Sequence, residues 1–313
     1  MIKGLVPGAE ILRWAGDNHT AVGAFNFSNL ETLQAVVEAS KETNCPTILQ
    51  VTESAINYLG LEYVVAMISV AVQGAQNRLA LHLDHGSNFD VCKRCIDAGF
   101  SSVMIDNSLL EFKQNVANTT EVVEYAKKNG VSVEAELGAL AGIEDNISVD
   151  LQESIYTNPD QAQKFVEDTK IDSLAVAIGT KHGPNKGAPN APPKLDFERL
   201  TRIKMALGGR FPLVLHGASA VDSKLTELCN EHGGNIQNAI GIKDEDVLEA
   251  IRRGINKVNI DTDLRLAFLA GLRQSLAKFP DKLDIRKHMG AAREEMNVYA
   301  VRKIKLITTP GLG

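Results

Sequence analysis

Short apolar runs and longer amphipathic stretches alternate along the whole chain. Eight short runs rich in apolar residues, from VGAFNF to NKVNIDTD, are each followed by a segment whose apolar positions recur with helical spacing. Most of these runs are continuously apolar, which is typical of strands in a parallel sheet that helices cover on its faces. Eight strand and helix units in sequence predict an α/β fold, a (β/α)8 TIM barrel with extra N- and C-terminal helices.

An open doubly wound sheet is the alternative fold for this pattern. Its dinucleotide-binding form carries a G-x-G-x-x-G turn after the first strand, and the corresponding segment here, VGAFNFSNLET, has none. The length of 313 residues would allow two domains, but α/β barrels of this size are commonly one domain. We therefore expect a single domain spanning residues 1–313.

The charge and the apolar content argue against some classes of partner. A formal net charge of -6, with 44% hydrophobic and 23% charged residues, is ordinary for a globular protein. Because there is no long basic run, we expect no nucleic-acid and no membrane partner. The most apolar window, 63–75, is shorter than a bilayer span, and no signal-peptide pattern opens the sequence, so we expect a cytoplasmic location.

The four cysteines do not form the pattern of a disulfide framework. Cys92 and Cys95 form a C-x-x-C pair, but the surrounding NFDVCKRCIDAG has helical apolar spacing and no second pair follows it. We predict two thiols packed on a helix rather than a redox or zinc motif.

Polar side chains follow nearly every predicted strand, at the end where a barrel carries its active site. The residues at these strand ends are Thr52, Glu53, Asp84, His85, Asp106, Asn107, Glu134, Glu136, His182, His216, Asn259 and Asp261. Three of them, His85, His182 and His216, are each followed by glycine. Three neutral imidazoles with a vacant fourth position match the ligand set of a catalytic zinc, so we predict a Zn²⁺ site.

The carboxylates beside these histidines have more than one interpretation. The side chain of Asp84 projects differently from that of His85, so it is a candidate general acid or base, although it could instead cap a helix or orient a ligand. Asp106 and Glu136 could hold a second divalent ion or form a salt bridge with a lysine. His82, earlier on the same strand, is predicted to be a packed histidine or one that orients a ligand.

Two segments have the character of a phosphate site. Backbone N–H groups near glycine and at helix N-termini bind phosphate, and the usual barrel position for this is after the seventh and eighth strands. The residues there are Gly217, Ala218, Ser219, Asn259, Ile260, Asp261 and Thr262, and Gly183 and Lys186 could complete the site.

Two predicted loops are longer than a connection requires. Residues 138–157 follow the fifth strand and are either a surface excursion or a mobile cover for the active site. The second loop, 183–194, follows His182 and is rich in Gly, Pro and Asn.

The motifs LHLDHGS, IDNS, VEAELG, GTKHGPNKG, LHGAS and VNIDTDLRLAF together resemble the class II, metal-dependent fructose-bisphosphate aldolases and their tagatose-bisphosphate relatives. The match runs in order through nearly the whole chain. It implies reversible cleavage of fructose 1,6-bisphosphate to dihydroxyacetone phosphate and glyceraldehyde 3-phosphate, a reaction of glycolysis and gluconeogenesis. It also implies a homodimer or homotetramer.

The resemblance also implies roles for individual residues. Asp84 would exchange the proton of the ketose C4 oxygen, and the three histidines would hold zinc. Asp106 and Glu136 would belong to a second position for a divalent or monovalent cation, and Glu144 is a weak candidate for exchanging the enediol proton. The glycine-rich and strand-eight segments would hold dihydroxyacetone phosphate.

Departures from the family pattern concern the substrate rather than the metal. Thr52 replaces a common serine, Lys181 stands where a small residue is usual, and Asn185 where tyrosine is common. Tagatose 1,6-bisphosphate, another phosphorylated ketose or a phosphorylated keto-deoxy sugar acid therefore stays an alternative substrate. A zinc hydrolase is a more distant alternative, because the first strand lacks paired histidines, and so is a non-catalytic sugar-phosphate binder.

Overall fold

The computed structural model describes residues 1–73, 75, 77–138, 141–144, 147–149, 156–183, 193–237 and 239–309. The strands are β1 (Val22–Asn26), β2 (Thr47–Thr52), β3 (Leu79–Gly86), β4 (Ser102–Ile105), β5 (Ser132–Leu137), β6 (Ala141–Glu144), β7 (Ile147–Val149), β8 (Ser173–Val176), β9 (Lys181–His182), β10 (Leu213–Leu215) and β11 (Ile255–Ile260). The helices are α1 (Gly8–Asp17), α2 (Leu30–Thr43), α3 (Glu53–Leu59), α4 (Leu61–Ala71), α5 (Phe89–Asp97), α6 (Phe112–Lys128), α7 (Pro159–Thr169), α8 (Phe197–Ala206), α9 (Ser223–Glu231), α10 (Asp244–Arg252), α11 (Thr262–Lys278) and α12 (Ile285–Thr308).

Eight of the strands close into a barrel, which confirms the predicted (β/α)8 fold. The strand order around it is β1, β11, β10, β8, β5, β4, β3 and β2, and each neighbouring pair is parallel. The register places Thr52 opposite Asp84 and Asn26 opposite Gln50. Polar residues of neighbouring strands therefore lie side by side toward the carboxyl end of the barrel.

An apolar plug closes the other end of the barrel. Residues of α1, including Ile11 and Leu12, pack against Ala24, Ile48 and Ala80 in one buried cluster. The helix lies so close to the strands that a Cβ added at Gly8 would meet Ser102 Oγ at 2.7 Å. The barrel interior is thus filled with apolar side chains at its N-terminal end, which leaves the C-terminal end for chemistry.

The predicted extra C-terminal helix, α12, packs against the barrel of its own chain. It contacts α11 and α2, and a Cβ at Gly271 of α11 would lie 2.7 Å from the backbone oxygen of Ala291. Near its end, the Ala21 N–H donates to the Ile307 carbonyl at 3.1 Å. This helix therefore holds the outer face of α2 and the start of β1.

The segment after β2 forms two helices, because Gly60, with φ of 88°, separates α3 from α4. One local prediction differs from the structure. The prediction that the sixth strand ends at His182 is wrong, because β8 ends at Val176 and His182 lies on β9. The chain turns between them at Gly179, which has φ of 110° and no room for a Cβ, since that atom would lie 2.6 Å from the Lys194 carbonyl oxygen.

The loop after β5 contains regular structure. Within it, β6 and β7 form an antiparallel pair, and β6 also pairs in parallel with β9, so that Gly142 is opposite His182. The excursion is thus joined through its backbone to the strand that carries His182.

Two further expectations concern the helices. Cys92 and Cys95 are buried, free thiols on α5, as predicted, and burial raises the pKa of Cys95 to about 12. Among the described residues no single helix is long and apolar enough to span a membrane; α3 and α4 pass that test only together, and they are bent by 93°.

Candidate active site

Two histidines from distant strands meet over the centre of the barrel mouth. His85 is at the end of β3 and His216 directly follows β10, and three strands separate β3 from β10 in the barrel. His85 Nε2 and His216 Nδ1 are 2.9 Å apart, and the two rings are nearly perpendicular, at 84°. His85 has a left-handed φ of 50°, which is uncommon for a residue with a side chain and turns it inward at the strand end.

The other nitrogen of each ring contacts a carboxylate. His85 Nδ1 is 2.7 Å from Asp106 Oδ2, and His216 Nε2 is 3.0 Å from Glu134 Oε1. Burial acts to raise the pKa of both acids, but the partners of each carboxyl outweigh it and hold both pKa values below the ordinary range. Ionised carboxylates only accept hydrogen bonds, so each ring donates to its acid.

This arrangement fixes the protonation of the facing nitrogens. Burial lowers the pKa of His216, which favours the neutral ring. A neutral imidazole that donates through one nitrogen carries a lone pair on the other. With both rings neutral, His85 Nε2 and His216 Nδ1 direct lone pairs at each other, an arrangement that a cation or a proton between them would stabilise.

The separation of these two atoms suits a metal ion. Two Zn–N bonds of about 2.0–2.1 Å at a tetrahedral angle separate their nitrogens by about 3.3 Å, a few tenths of an ångström more than the 2.9 Å found here. Ligand atoms of Asp84, His85 and His216 lie within 4.8 Å of one another, and so do those of His85, Asp106 and Glu136. The donor set thus fits a divalent cation.

Only part of the predicted ligand set can be described. The backbone of His182 lies on β9, but its side chain is outside the described residues, as are Asn185, Lys186 and the side chain of Glu144. The backbone position is nevertheless informative, since a Cβ at Gly217 would lie 2.5 Å from the Lys181 carbonyl oxygen. The chain of β9 therefore passes directly against the residue that follows His216, and Gly217, with φ of 61°, has to be glycine there.

Asp84 lies in a cradle of amide groups. Its side chain is fully buried, Oδ2 accepts from Asn26 Nδ2 at 2.9 Å and Gln50 Nε2 at 3.2 Å, and Oδ1 accepts from Asn259 Nδ2 at 3.1 Å. Three donors from three strands fix the orientation of one carboxylate beside the two imidazoles. Among the described residues, Gln50 Oε1 and Asn259 Oδ1 accept no hydrogen bond, so each has an acceptor available in the same pocket.

A buried lysine, Lys257, lies deeper in the barrel than the Asp84 cradle. Lys257 is 1% exposed, and its Nζ donates to Glu134 Oε2 at 2.8 Å and contacts His82 Nε2 at 3.2 Å. Burial, and then the Lys257 charge, hold the pKa of His82 well below its usual value, so this ring is neutral and accepts from the lysine. Its Nδ1 is 2.8 Å from Ser102 Oγ. His82 is thus a packed histidine, and Lys257 supports the acid that contacts His216.

The rim beside the Asp84 cradle forms a cavity of about 250 Å³. Thr52, Asp261 and Arg265 line it together with Asn26. Thr52 caps α3 by accepting from the Ala55 N–H at 3.2 Å, and Asp261 forms an ion pair with Arg265 at 2.8 Å. A polar wall therefore continues from the metal-type residues toward solvent.

The two predicted phosphate segments come from neighbouring strands. Gly217, Ala218 and Ser219 continue from β10, which pairs with β11, and Asn259 to Thr262 run from the end of β11 into the first residue of α11. Ala218 and Ser219 are buried, and Gly183 is half-buried after β9. The structure brings these segments to the same side of the mouth.

Sequence reasoning did not predict the contacts of four polar residues inside the barrel, although it noted Glu134 among the strand-end residues. Each stands two positions before a strand-end residue that was identified, and the residues are Gln50, His82, Glu134 and Lys257. Because strand side chains alternate, a polar residue at that spacing faces the interior with its strand-end neighbour. This spacing of two residues was the sequence signal that could have identified the four residues. Asn26, at the end of β1, had no such signal.

Comparison with known proteins gives one consistent result. Residues 6–311 match the family described as fructose-bisphosphate aldolase class-II. The chain is 44% identical over 304 residues to a fructose-bisphosphate aldolase of Helicobacter pylori (strain J99), covering 97% of this chain and 98% of that protein. It is 46% identical over 307 residues to that of Thermus caldophilus, covering 98% and 99%.

Solved structures agree in fold. The crystal structure of the YdjI aldolase from Escherichia coli K12 has a TM-score of 0.77 at 30% identity and covers 98% of each chain. A putative fructose-1,6-biphosphate aldolase from Coccidioides immitis has a TM-score of 0.80 at 28% identity, covering 97% of this chain and 96% of that one.

Replacing Glu134 tests whether it prepares His216 for a metal. Glu134→Gln keeps the side-chain volume but removes the ionised acceptor, so we expect the affinity for Zn²⁺ to fall about 10–100-fold. Titration with Zn²⁺ in a competing chelator buffer measures this. Glu167→Gln, on the exposed face of α7, is the control and should bind Zn²⁺ like the unchanged protein. Equal affinities for both variants would contradict the role of Glu134.

Replacing Lys257 tests the ion pair inside the barrel. Lys257→Met leaves the Glu134 charge buried without its cation, so the free energy of unfolding should fall by about 3–5 kcal/mol. Urea denaturation followed by circular dichroism measures the loss. Lys164→Met removes an exposed partner of Asp168 and should change stability by less than about 0.5 kcal/mol. A loss at Lys257 no larger than that of the control would show that the buried pair does not stabilise the fold.

Proposed function

The chain belongs to the class-II fructose-bisphosphate aldolase family, and from this premise we propose that it reversibly cleaves fructose 1,6-bisphosphate to dihydroxyacetone phosphate and glyceraldehyde 3-phosphate. The observation that carries the proposal is the pair of imidazole nitrogens, 2.9 Å apart, that converge beside the buried carboxylate of Asp84. A non-catalytic binder of sugar phosphates would need neither the converging imidazoles nor the buried carboxylate. Family membership also favours aldol chemistry over the hydrolase alternative.

His85 and His216 would hold the catalytic metal, with His182 as the third ligand predicted from the sequence. The family is metal-dependent, and we propose Zn²⁺, because neutral imidazoles with an open position suit that ion. When bound, Zn²⁺ supplies a Lewis acid that polarises the ketose oxygens. Asp106 and Glu134 would orient the two rings, since each contacts the nitrogen that faces away from the metal position.

A second cation position stays a proposal. His85, Asp106 and Glu136 form the second group with metal-ligand spacing, and Glu136 Oε2 is 3.8 Å from His216 Nδ1. Asp106 already contacts His85, so a second divalent or a monovalent cation would compete with that hydrogen bond. We therefore give Asp106 the orienting role first and the ligand role second.

Asp84 would carry the proton of the reaction. Cleavage of the C3–C4 bond requires the C4 hydroxyl to lose its proton as the carbonyl of the aldehyde product forms. The Asp84 carboxylate accepts this proton and returns it in the condensation direction. Asn26, Gln50 and Asn259 fix the carboxylate in place, so the proton acceptor does not have to reorient during the reaction.

The polar rim would bind the rest of the ketose. Gly217, Ala218 and Ser219, together with the segment from Asn259 to Thr262, are proposed to hold the phosphate of the dihydroxyacetone phosphate half, with Gly183 and Lys186 as predicted contributors. Thr52 and Asp261, which line the adjoining cavity, would face the sugar hydroxyls. Homo-oligomerisation and the cytoplasmic location stay predictions.

The activity is tested by cleavage assays with and without a chelator. We expect the Zn²⁺-loaded protein to cleave fructose 1,6-bisphosphate, the chelator-treated protein to lose activity, and added Zn²⁺ to restore it. Tagatose 1,6-bisphosphate, which differs in configuration at C4, is assayed in parallel. The relative rates of cleavage of the two ketoses show which one is the substrate. Full activity after the metal has been removed, or no cleavage of either ketose by the loaded protein, would refute the proposal.

Two substitutions separate the proton carrier from the metal ligands. Asp84→Ala should bind Zn²⁺ like the unchanged protein but lose roughly 100-fold or more in kcat, because a positioned acid or base contributes about 10²–10⁴-fold. His216→Ala should lose bound Zn²⁺. Metal content by atomic absorption and turnover are measured on the same samples. Equal metal loss in both variants would contradict the role proposed for Asp84.

A further inference from the structure

Asp263 is a fully buried carboxylate in the first turn of α11 that the proposed reaction does not use. It is bonded to the backbone of a neighbouring loop. Its Oδ2 accepts from the Ala220 N–H at 2.8 Å, and its Oδ1 accepts from the Val221 N–H at 2.7 Å. We name residues 217–222, which directly follow His216, the Gly217 loop. Both oxygens of Asp263 are thus committed to this loop.

The Gly217 loop has a backbone that needs such support. Val221 has a left-handed φ of 52°, which is rare for a β-branched residue and persists only where the surroundings enforce it. On its other side the loop contacts the chain before α10. A Cβ at Gly241 would lie 2.0 Å from the Ala220 carbonyl oxygen, and the Ile242 N–H donates to Ser219 O at 3.0 Å. The loop is therefore held between Asp263 and this segment.

These bonds decide which groups of the loop could receive an anion. The N–H groups of Ala220 and Val221 point at Asp263 and cannot also bind a phosphate. An anion on this loop would have to use earlier groups, namely the N–H groups of Ala218 and Ser219 and the Ser219 hydroxyl. The same carboxylate belongs to the start of α11, two residues after Asp261. One side chain therefore connects the two segments proposed to hold phosphate.

We propose that Asp263 is a positioning residue, which fixes the Gly217 loop against the N-terminus of α11 so that the two together accept the phosphate of dihydroxyacetone phosphate. The inference rests on the proposed function, because it concerns the phosphate of that substrate. Asp263 itself touches no substrate atom. Its carboxylate accepts hydrogen bonds from the N–H groups of Ala220 and Val221, and those two donors therefore point away from the phosphate.

Asp263→Asn tests this with little change in volume. An amide offers one oxygen to two N–H groups and places its own NH₂ against the second, so the loop can no longer be held in the same way. Calorimetric titrations of the Zn²⁺-loaded protein with dihydroxyacetone phosphate and with dihydroxyacetone give two affinities. We expect the affinity for the phosphate compound to fall about tenfold, which corresponds to about 1.4 kcal/mol, and that for dihydroxyacetone to stay within about twofold. Zn²⁺ content should not change.

Turnover gives a second readout. The KM for fructose 1,6-bisphosphate should rise about tenfold while kcat changes by less than about threefold, because the lost interaction is with the phosphate in both ground and transition states. Asp172→Asn is the matched control. Asp172 also accepts a backbone N–H, that of Val133 at 2.8 Å, but at the N-terminal end of the barrel. It should leave the ratio of the two affinities unchanged.

Each result has a defined meaning. An Asp263→Asn protein that binds dihydroxyacetone phosphate as tightly as the unchanged protein, or that loses both affinities in parallel, overturns the inference, and so does an equal loss in Asp172→Asn. If Asp263→Asn does not fold, Asp263→Glu carries the test, with the same selective loss for the phosphate compound expected and a parallel loss of both affinities overturning the inference. Failure of the unchanged protein to cleave fructose 1,6-bisphosphate overturns the proposed function instead.

Discussion

The site depends on two carboxylates that face away from where the chemistry would occur. Asp106 and Glu134 each contact the outer nitrogen of a histidine, and the two inner nitrogens lie 2.9 Å apart over the barrel mouth. Without those acids either ring could rotate or change its tautomer, and no electron-rich position would be defined. The affinity of the mouth for a cation is therefore prepared by acids that need not be ligands themselves.

Keeping Glu134 ionised inside the barrel has its own requirement. A buried carboxylate is strongly disfavoured unless it is paired, and Lys257 supplies the cation at 2.8 Å. Lys257 in turn contacts neutral His82, which contacts Ser102. The interior of the barrel thus changes from the apolar plug at α1, through one polar layer, to the rim. A wholly apolar interior would pack as well but could not hold the rings in one tautomer.

Sequence reasoning recovered the fold because the barrel repeats one simple unit eight times, and the alternation of apolar runs with helical spacing records it. It also singled out His85, His216 and Asp84, which the structure brings together, because ionisable residues at the ends of buried runs are conspicuous. It placed His182 at the end of the sixth strand, but β8 ends at Val176 and the chain turns at Gly179. The close approach of Lys194 that requires this glycine is a tertiary contact. It did not identify Lys257, and it noted Glu134 at a strand end without a role, since the two become partners only when β11 and β5 face each other across the closed barrel.

The contrast between local sequence signals and tertiary contacts also applies to the Gly217 loop. A glycine after a strand-end histidine indicated a phosphate segment, but sequence alone could not say which N–H groups an anion would find. Asp263 settles part of that question, since it occupies the donors of Ala220 and Val221 from a helix that follows the next strand. The metal-type residues, the proposed proton carrier Asp84 and the proposed phosphate segments come from different strands, so side chains are needed to fix their relative positions. Glu134 does this for His216, the amide cradle does it for Asp84, and Asp263 does it for the loop.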